Sequence, residues 1–397
     1  MLTRLISRHF ISFNKKIIFI VTTIISVAIS SSFLSKNTPF SGDEFYTLDI
    51  DKVHKPVPYY LLVSNVINDI GQIKPNHTFY LRLTSVLFTS IGLLLLLLFI
   101  PKTKLELFLL TALIITNPFI LSISIFFRYY SFYFMSSVLT LIILVLEFER
   151  FKLKTKITLG FLGSIGSVYY LFFLNALQFG MAFIVTSLFE YVKNNKLKYG
   201  LFGICLIGIS IFILNPILIW KLLYMFNITG HAAIDLNSVQ IMGFGMSTFI
   251  KPFYAMFQMI FGPYIAPTYS ILIGGLFLFL SAMFLIILYH IYKNDKKLFF
   301  RSLFFIIIPF FIIYYFFQTL ALPGATQLEP KHGMLLFPLI LYLAVKSHHY
   351  LSPVMHAIFI FTIISAQLTG MVKSFDKQST DWNKIAIQSH VELSEVD

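Results

Sequence analysis

Two adjacent carboxylates, Asp43 and Glu44, stand near the start of the stretch SGDEFYTLDID, just after the first apolar segment of the chain. The chain has 17 acidic residues among 397, and this one stretch contains four of them. A positioned carboxylate can take a proton from a hydroxyl group, so the pair could activate an acceptor for group transfer. A hydrated loop explains the same residues without any activity, because adjacent carboxylates cost little in water. Asp49 and Asp51 fit ordinary loop positions.

A rigid basic turn, HKPVPYY, follows the acidic pair within a dozen residues. Its two prolines fix the backbone and direct the chain back toward the apolar segments. Lys55 could bind a phosphate group through a charge-assisted hydrogen bond, with His54, Tyr59 and Tyr60 positioning a substrate. The plainer interpretation is that the tyrosines belong to an interfacial aromatic belt and that the basic side chains are solvated.

Further cationic groups occur at the ends of later apolar segments. Arg82 lies in FYLRLTSVLF, Arg128 precedes Tyr129 in FFRYY, and Lys331 and His332 precede the apolar run MLLFPLILYLAV. A guanidinium group offers planar, bidentate donors that suit phosphate. The same residues could serve only as interfacial anchors. Together with the acidic pair they predict a site that activates a hydroxyl group beside a phosphate.

The elements that must position these residues are transmembrane helices. Hydrophobic residues make up 57% of the chain and charged residues 12%, about half the usual globular share, and the mean hydropathy is +0.83. The apolar runs are long enough to cross a bilayer and do not alternate as barrel strands do, which predicts an all-α polytopic membrane protein. We predict about eleven spans, at about residues 17–34, 79–100, 106–124, 129–148, 157–175, 176–192, 199–221, 269–291, 302–320, 333–347 and 352–371.

The distribution of charge predicts the orientation of these spans. With the basic N-terminus inside, the connections PKTK, ERFKLKTK, YVKNNKLK, YKNDKKLFFR and KSHHY also lie inside. Together with the N-terminus, these connections and the acids beside them account for the whole net charge of +13. Nucleic acid is therefore not needed as a partner, because the basic residues match the positive-inside pattern and face membrane lipids. The cationic and acidic residues named above fall at the outer face. The composition, rich in Phe, Ile and Lys, is typical of an AT-rich genome and favours a bacterial source. The predicted location is therefore a bacterial inner membrane, with the site facing the periplasm or exterior.

The spans define one transmembrane domain over residues 1–371, followed by a short external tail at 372–397. The predicted catalytic loop covers about 35–78, and a second external loop covers about 222–268. Their aromatic pieces VPYYLLVSNVINDI and PFYAMFQMIFGPY are too short to span and predict helices lying in the membrane interface.

The motif order resembles that of the polytopic GT-C glycosyltransferases, in particular the protein O-mannosyltransferases and lipid A aminoarabinose transferases. The resemblance rests on GDEFY, HKPVPYY, RLTS, NPF followed by RYY, and the late DWNKIA. It extends loosely over most of the chain and is strongest over about residues 40–135. Lys331-His332 stands where many members have Arg-Tyr, and the C-terminal soluble domain of many members is almost absent here.

The resemblance implies an inverting transfer of a sugar from a polyprenyl phosphate, such as undecaprenyl phosphate, with Asp43 as general base and Glu44 supporting it. Donor-phosphate contacts would come from Lys55, Arg128, Lys331 and His332, and substrate positioning from His54, Tyr59, Tyr60, Arg82 and Tyr129. No cofactor or metal is expected to be required, although a divalent cation beside Glu44 is an open alternative. The short tail favours a glycan or glycolipid acceptor, such as an O-antigen unit of lipopolysaccharide.

Three other functions stay open at the level of sequence. An O-antigen polymerase or ligase would use a diphosphate-linked oligosaccharide, and it usually carries large arginine-rich external loops. A transporter or flippase predicts ionisable residues at mid-membrane and an internal repeat, whereas the polar residues here fall at the outer rim. A purely structural membrane subunit would need none of the polar groups.

Overall fold

The computed structural model describes residues 13–37, 77–125, 130–171, 174–194, 246–262, 271–311 and 333–372, and these are helical throughout, with short connections and no β-strand among them. The predicted all-α class is confirmed for this part of the chain. The helices are α1 (Phe13–Asn37), α2 (His77–Phe99), α3 (Lys104–Ile115), α4 (Pro118–Ile125), α5 (Tyr130–Thr140), α6 (Leu153–Leu171), α7 (Leu174–Asn194), α8 (Met246–Phe261), α9 (Ile271–Asn294), α10 (Lys296–Ser302), α11 (Phe337–Lys346) and α12 (Pro353–Val372). Helix α5 continues as a π-helix over Leu141–Leu146, and α10 continues as one over Leu303–Ile307.

Three of the described helices, α2, α9 and α12, are long and apolar enough to cross a membrane. They coincide to within a few residues with the predicted spans 79–100, 269–291 and 352–371. Large apolar side chains point out of the bundle, including Ile271 (97% exposed) and Phe361 (73% exposed). Apolar surface of this extent is typical of helices that face lipid. The described part of the chain is therefore consistent with a helical membrane protein.

The predicted span at 106–124 is not one straight helix. Helices α3 and α4 meet at a bend of 58°, and counting the pair as one broken span would make it a fourth. The bend lies at Pro118, which has no N–H and whose ring conflicts with a carbonyl one turn earlier. Asn117 then caps the new helix, because its Oδ1 accepts hydrogen bonds from the N–H groups of Phe119 (2.9 Å) and Ile120 (3.0 Å).

Neighbouring helices hold this bend in place. The Nδ2 group of Asn117 donates to the carbonyl oxygen of Met259 on α8 at 3.2 Å, and Thr116 Oγ1 lies 2.6 Å from Gln367 Oε1 on α12. Gly370 on α12 lies so close to α8 that an added Cβ would be 1.7 Å from the carbonyl oxygen of Phe261. The bend is therefore a packed junction of four helices.

Helix α8 comes from the aromatic piece that was predicted to lie in the interface. The helix forms, but its last two turns are buried among other helices. Phe257 stacks on Phe261 with ring centroids 4.2 Å apart and meets Phe277 of α9 edge-on at 5.2 Å. Burial on several sides distinguishes this half of α8 from an amphipathic helix resting on a membrane surface.

One apolar core joins α1 to α5 with α8, α9, α11 and α12. Helices α6 and α7 form an antiparallel hairpin, in which Gly160 and Gly163 allow close approach of Phe183 and Phe179. The predicted span at 199–221, nearly all of the predicted catalytic loop, residues 222–245 of the second loop and residues 373–397 of the tail lie outside the described residues.

Candidate functional site

Arg82 is the one residue of the predicted outer site that lies within the described part of the chain. The other predicted site residues lie outside it: Asp43, Glu44, His54, Lys55, Tyr59, Tyr60, Arg128, Tyr129, Lys331 and His332. The juxtaposition of these residues stays a prediction. Asn117, from the NPF motif, is described, and its contacts are those of a helix cap at the bend.

Arg82 lies in the second turn of α2 and is only 2% exposed. An interfacial anchor would extend its guanidinium group into the headgroup layer, whereas Arg82 is enclosed by the bundle. Arginine is rarely buried this fully unless its charge is compensated. Its position, five residues after α2 begins, places it beside the point where the predicted catalytic loop enters the bundle.

A second group of ionisable side chains surrounds Glu106, at the other end of α2 from Arg82. Arg82 and Phe99 are about 26 Å apart along the helix at 1.5 Å per residue. Glu106 lies in the first turn of α3, where its N–H donates to Thr103 Oγ1 at 3.2 Å. This is the Thr-x-x-Glu pattern of a helix start. In a capping box the Glu side chain would accept a hydrogen bond from the Thr103 N–H. Here Glu106 Oε2 instead accepts one from the Lys102 N–H, at 2.5 Å.

Lys346, the last residue of α11, provides the charge that compensates Glu106. Its Nζ donates to Glu106 Oε2 at 2.6 Å, and the two side chains are 7% and 1% exposed. A short, charge-assisted hydrogen bond of this kind compensates part of the cost of removing both charges from water. The pair joins the start of α3 to the end of α11.

Two histidines in the turn after α11 reach the other oxygen of the same carboxylate. Nε2 of His349 lies 3.3 Å from Glu106 Oε1, and Nε2 of His348 lies 3.6 Å from it. The two rings are 3.8 Å apart between centroids, and His348 Nδ1 is 3.0 Å from the carbonyl oxygen of Val345. Nearby, His356 Nδ1 hydrogen-bonds Ser347 Oγ at 2.8 Å. Both carboxylate oxygens of Glu106 thus face nitrogen atoms.

The same end of the bundle carries a second charged network. Glu149 lies 3.2 Å from Arg301, 3.7 Å from Lys297 and 3.9 Å from Lys156.

Burial, and then the negative charge of Asp295, raises the pKa of the Tyr350 hydroxyl above its ordinary value.

These contacts bring together parts of four connections that the charge pattern predicts to lie inside. Residues 100–103 meet the turn after α11 through Glu106, and residues 147–152 meet the α9–α10 connection through Glu149. The α9–α10 connection and the turn after α11 also lie near each other, through Asp295 and Tyr350. The predicted alternation of the spans requires this arrangement.

No known protein family, curated protein or solved structure matches this chain.

The sequence analysis did not predict the cluster of Glu106, Lys346, His348 and His349. It identified PKTK and KSHHY only as basic connections. Two local signals were present: the Thr103-x-x-Glu106 pattern and a lone acid entering an apolar run. Neither signal predicts the partners of Glu106, because Lys346 and the histidines lie about 240 residues further along the chain.

Proposed function

We propose that this chain is a membrane glycosyltransferase that moves a sugar from a polyprenyl-phosphate donor to a cell-envelope glycan or glycolipid. One observation carries the proposal. The acidic pair, the HKPVPYY turn and the RLTS segment follow one another between residues 43 and 85, ahead of α2 and into its first turns, and Arg82 of RLTS is buried. An acid able to take a proton therefore lies within about 40 residues of Lys55 and Arg82 along the chain.

The arrangement of the chain supports a lipid-linked donor. We propose about eleven spans in a bacterial inner membrane, with the site at the outer face. The described connections at the opposite end are short, at residues 100–103, 147–152, 295 and 347–352, and are too small for a catalytic domain. Nucleotide sugars are cytoplasmic, so a site at the outer face needs a sugar carried by a lipid.

The proposed reaction is an inverting displacement. Asp43 takes the proton of the acceptor hydroxyl as its oxygen attacks the anomeric carbon on the face opposite the phosphate. The bond between that carbon and the phosphate oxygen breaks, and the polyprenyl phosphate leaves with the electron pair. Glu44 orients Asp43 or the acceptor, and no metal is required in this scheme.

Cationic groups stabilise the negative charge on the departing phosphate. Lys55, Arg128, Lys331 and His332 supply these contacts, because charge-assisted hydrogen bonds strengthen as the leaving oxygen becomes negative. His54, Tyr59, Tyr60 and Tyr129 position the sugar and acceptor. Arg82 acts as a positioning residue, since it is buried in the second turn of α2 and a guanidinium group offers planar, bidentate donors.

The test uses the purified full-length protein in lipid nanodiscs. A set of polyprenyl-phosphate sugars is supplied with an envelope glycan extract, and the products are identified by mass spectrometry. We expect transfer by the wild type, loss of transfer with retained donor binding for Asp43→Asn, and normal transfer for the control Asp49→Asn. Undiminished transfer by Asp43→Asn would show that Asp43 is not the general base.

Parallel reactions separate the alternative functions. Transfer only from a diphosphate-linked oligosaccharide would identify a polymerase or ligase. Movement of a lipid-linked glycan across a proteoliposome membrane without formation of a new bond would identify a flippase. Either result would overturn the proposal. The envelope glycan of cells with and without the protein would then identify the sugar that is added.

A further inference from the structure

Three possible metal ligands meet beside the start of α3. One carboxylate oxygen of Glu106 and one ring nitrogen from each of His348 and His349 lie within 4.8 Å of one another. Two ligands on a tetrahedral metal ion, with bonds of about 2.0–2.2 Å, are about 3.4 Å apart. The distances from Glu106 Oε1 to the Nε2 atoms, 3.3 Å and 3.6 Å, match that separation.

A hydrogen bond on the far side of His348 fixes the orientation of its ring. Its Nδ1 lies 3.0 Å from the carbonyl oxygen of Val345. A carbonyl oxygen can only accept, so Nδ1 donates to it, and Nε2 is the ring nitrogen that is directed toward Glu106 Oε1. At 3.6 Å this Nε2 lies beyond hydrogen-bond distance of Glu106 Oε1, whereas the Nε2 of His349, at 3.3 Å, lies within it. A metal ion bound to both ring nitrogens and to Oε1 would account for the way the three atoms face one another. A backbone contact of this kind is also how metal-binding histidines are commonly oriented.

The carboxylate is fixed before any ion arrives. Lys346 and the Lys102 N–H both donate to Oε2, which holds the Glu106 side chain in one orientation and turns Oε1 toward the histidines. Glu106 is fully buried, whereas the His349 side chain is 53% exposed. The site therefore has a rigid inner ligand and an opening to solvent, through which an ion and a bound water molecule can enter.

We propose that Glu106, His348 and His349 form a binding site for a divalent transition metal of the Zn²⁺ class. Two imidazoles and one carboxylate suit Zn²⁺ and its neighbours, whereas Mg²⁺ and Ca²⁺ prefer oxygen ligands alone. The ion ties the start of α3 to the turn after α11. This site lies at the opposite end of α2 from Arg82 and does not depend on the proposed glycosyl transfer.

The test is metal binding by the full-length protein, purified in detergent with a tag that contains no histidine. After treatment with a chelator, the protein is titrated with Co²⁺ and then with Zn²⁺ in competition. We expect one equivalent of Co²⁺ to give the visible absorption of a tetrahedral site, and Zn²⁺ to displace it. The variant His348→Ala/His349→Ala should bind at least about tenfold more weakly.

Two further variants keep the result interpretable. His290→Ala removes a partly exposed histidine on α9 that lies outside the proposed ligand set, so it should bind metal as the wild type does. His349→Asn changes only the half-exposed ligand, so the fold should be retained while binding weakens. Absence of the tetrahedral absorption in the wild type, or equal affinity in the wild type and the double variant, would overturn the proposal.

Discussion

Glu106 and Lys346 form a buried ion pair, 2.6 Å from Oε2 to Nζ, between two helix ends that are 240 residues apart in the chain. The pair lies where α3 begins and α11 ends, so each charge also faces the favourable end of a helix dipole. In the following turn, the Nε2 atoms of His349 and His348 lie 3.3 Å and 3.6 Å from the other oxygen of the same carboxylate. This one contact fixes how two distant parts of the bundle meet.

Removing one partner of this pair should destabilise the protein strongly. Lys346→Met leaves Glu106 buried without its compensating charge. We expect the free energy of unfolding to fall by about 3–5 kcal/mol. Thermal unfolding in detergent, followed by circular dichroism, measures the change. The control Arg150→Met breaks a pair whose arginine is 52% exposed, and it should cost less than about 1 kcal/mol. If both variants lost the same free energy of unfolding, burial would not be what makes the Glu106–Lys346 pair important for stability.

The glycine of α12 at the bend should not tolerate a larger residue. In Gly370→Ala the new methyl group would overlap the carbonyl oxygen of Phe261 and lie 3.1 Å from Pro118 Cγ. We expect α8 and α12 to separate at a cost of about 1–3 kcal/mol. Gly275→Ala is the matched control, because nothing lies within 4 Å of its added Cβ, and alanine should stabilise that helix slightly. A lower unfolding midpoint for Gly275→Ala than for Gly370→Ala would refute this account of the junction.

The cap at the bend should contribute measurable stability. Asn117→Ala removes the acceptor for two backbone N–H groups and the donor to Met259, for an expected loss of about 1–3 kcal/mol. Asn117→Ser retains a capping oxygen but not the amide donor, so its unfolding midpoint should fall between those of the wild type and Asn117→Ala. If serine and alanine gave the same midpoint, the capping contribution would be negligible.

Loss of a proposed phosphate contact should weaken donor binding selectively. Lys55→Gln and Arg128→Gln should each raise the KM for the polyprenyl-phosphate sugar about tenfold, corresponding to about 1.4 kcal/mol. The KM for the acceptor should hardly change. Steady-state transfer rates in nanodiscs measure both constants, with Lys52→Gln as the control from the same segment. A change confined to the acceptor KM would show that these residues do not bind the donor phosphate.

The sequence alone determined where most of the described helices lie and how the connections are grouped. Helices α2, α9 and α12 followed from runs of about 20 apolar residues, because that length is set by the bilayer. The grouping of PKTK, ERFKLKTK, YKNDKKLFFR and KSHHY at one end followed from charge, since basic connections stay on one side. Pro118 was a local signal for the bend, although the span around it was predicted as continuous.

Tertiary structure decided which of these residues interact. Nothing in the apolar stretch around α8 indicated that its second half is enclosed, because interfacial and buried aromatic helices have similar composition. Only its contact with the Phe261 carbonyl shows why a glycine stands at position 370. Only the contacts with Lys346 and the two histidines show what compensates the buried charge of Glu106. Hydrophobic length and local charge are properties of one segment. A buried carboxylate is compensated across the bundle, so its partners follow from packing and not from spacing along the chain.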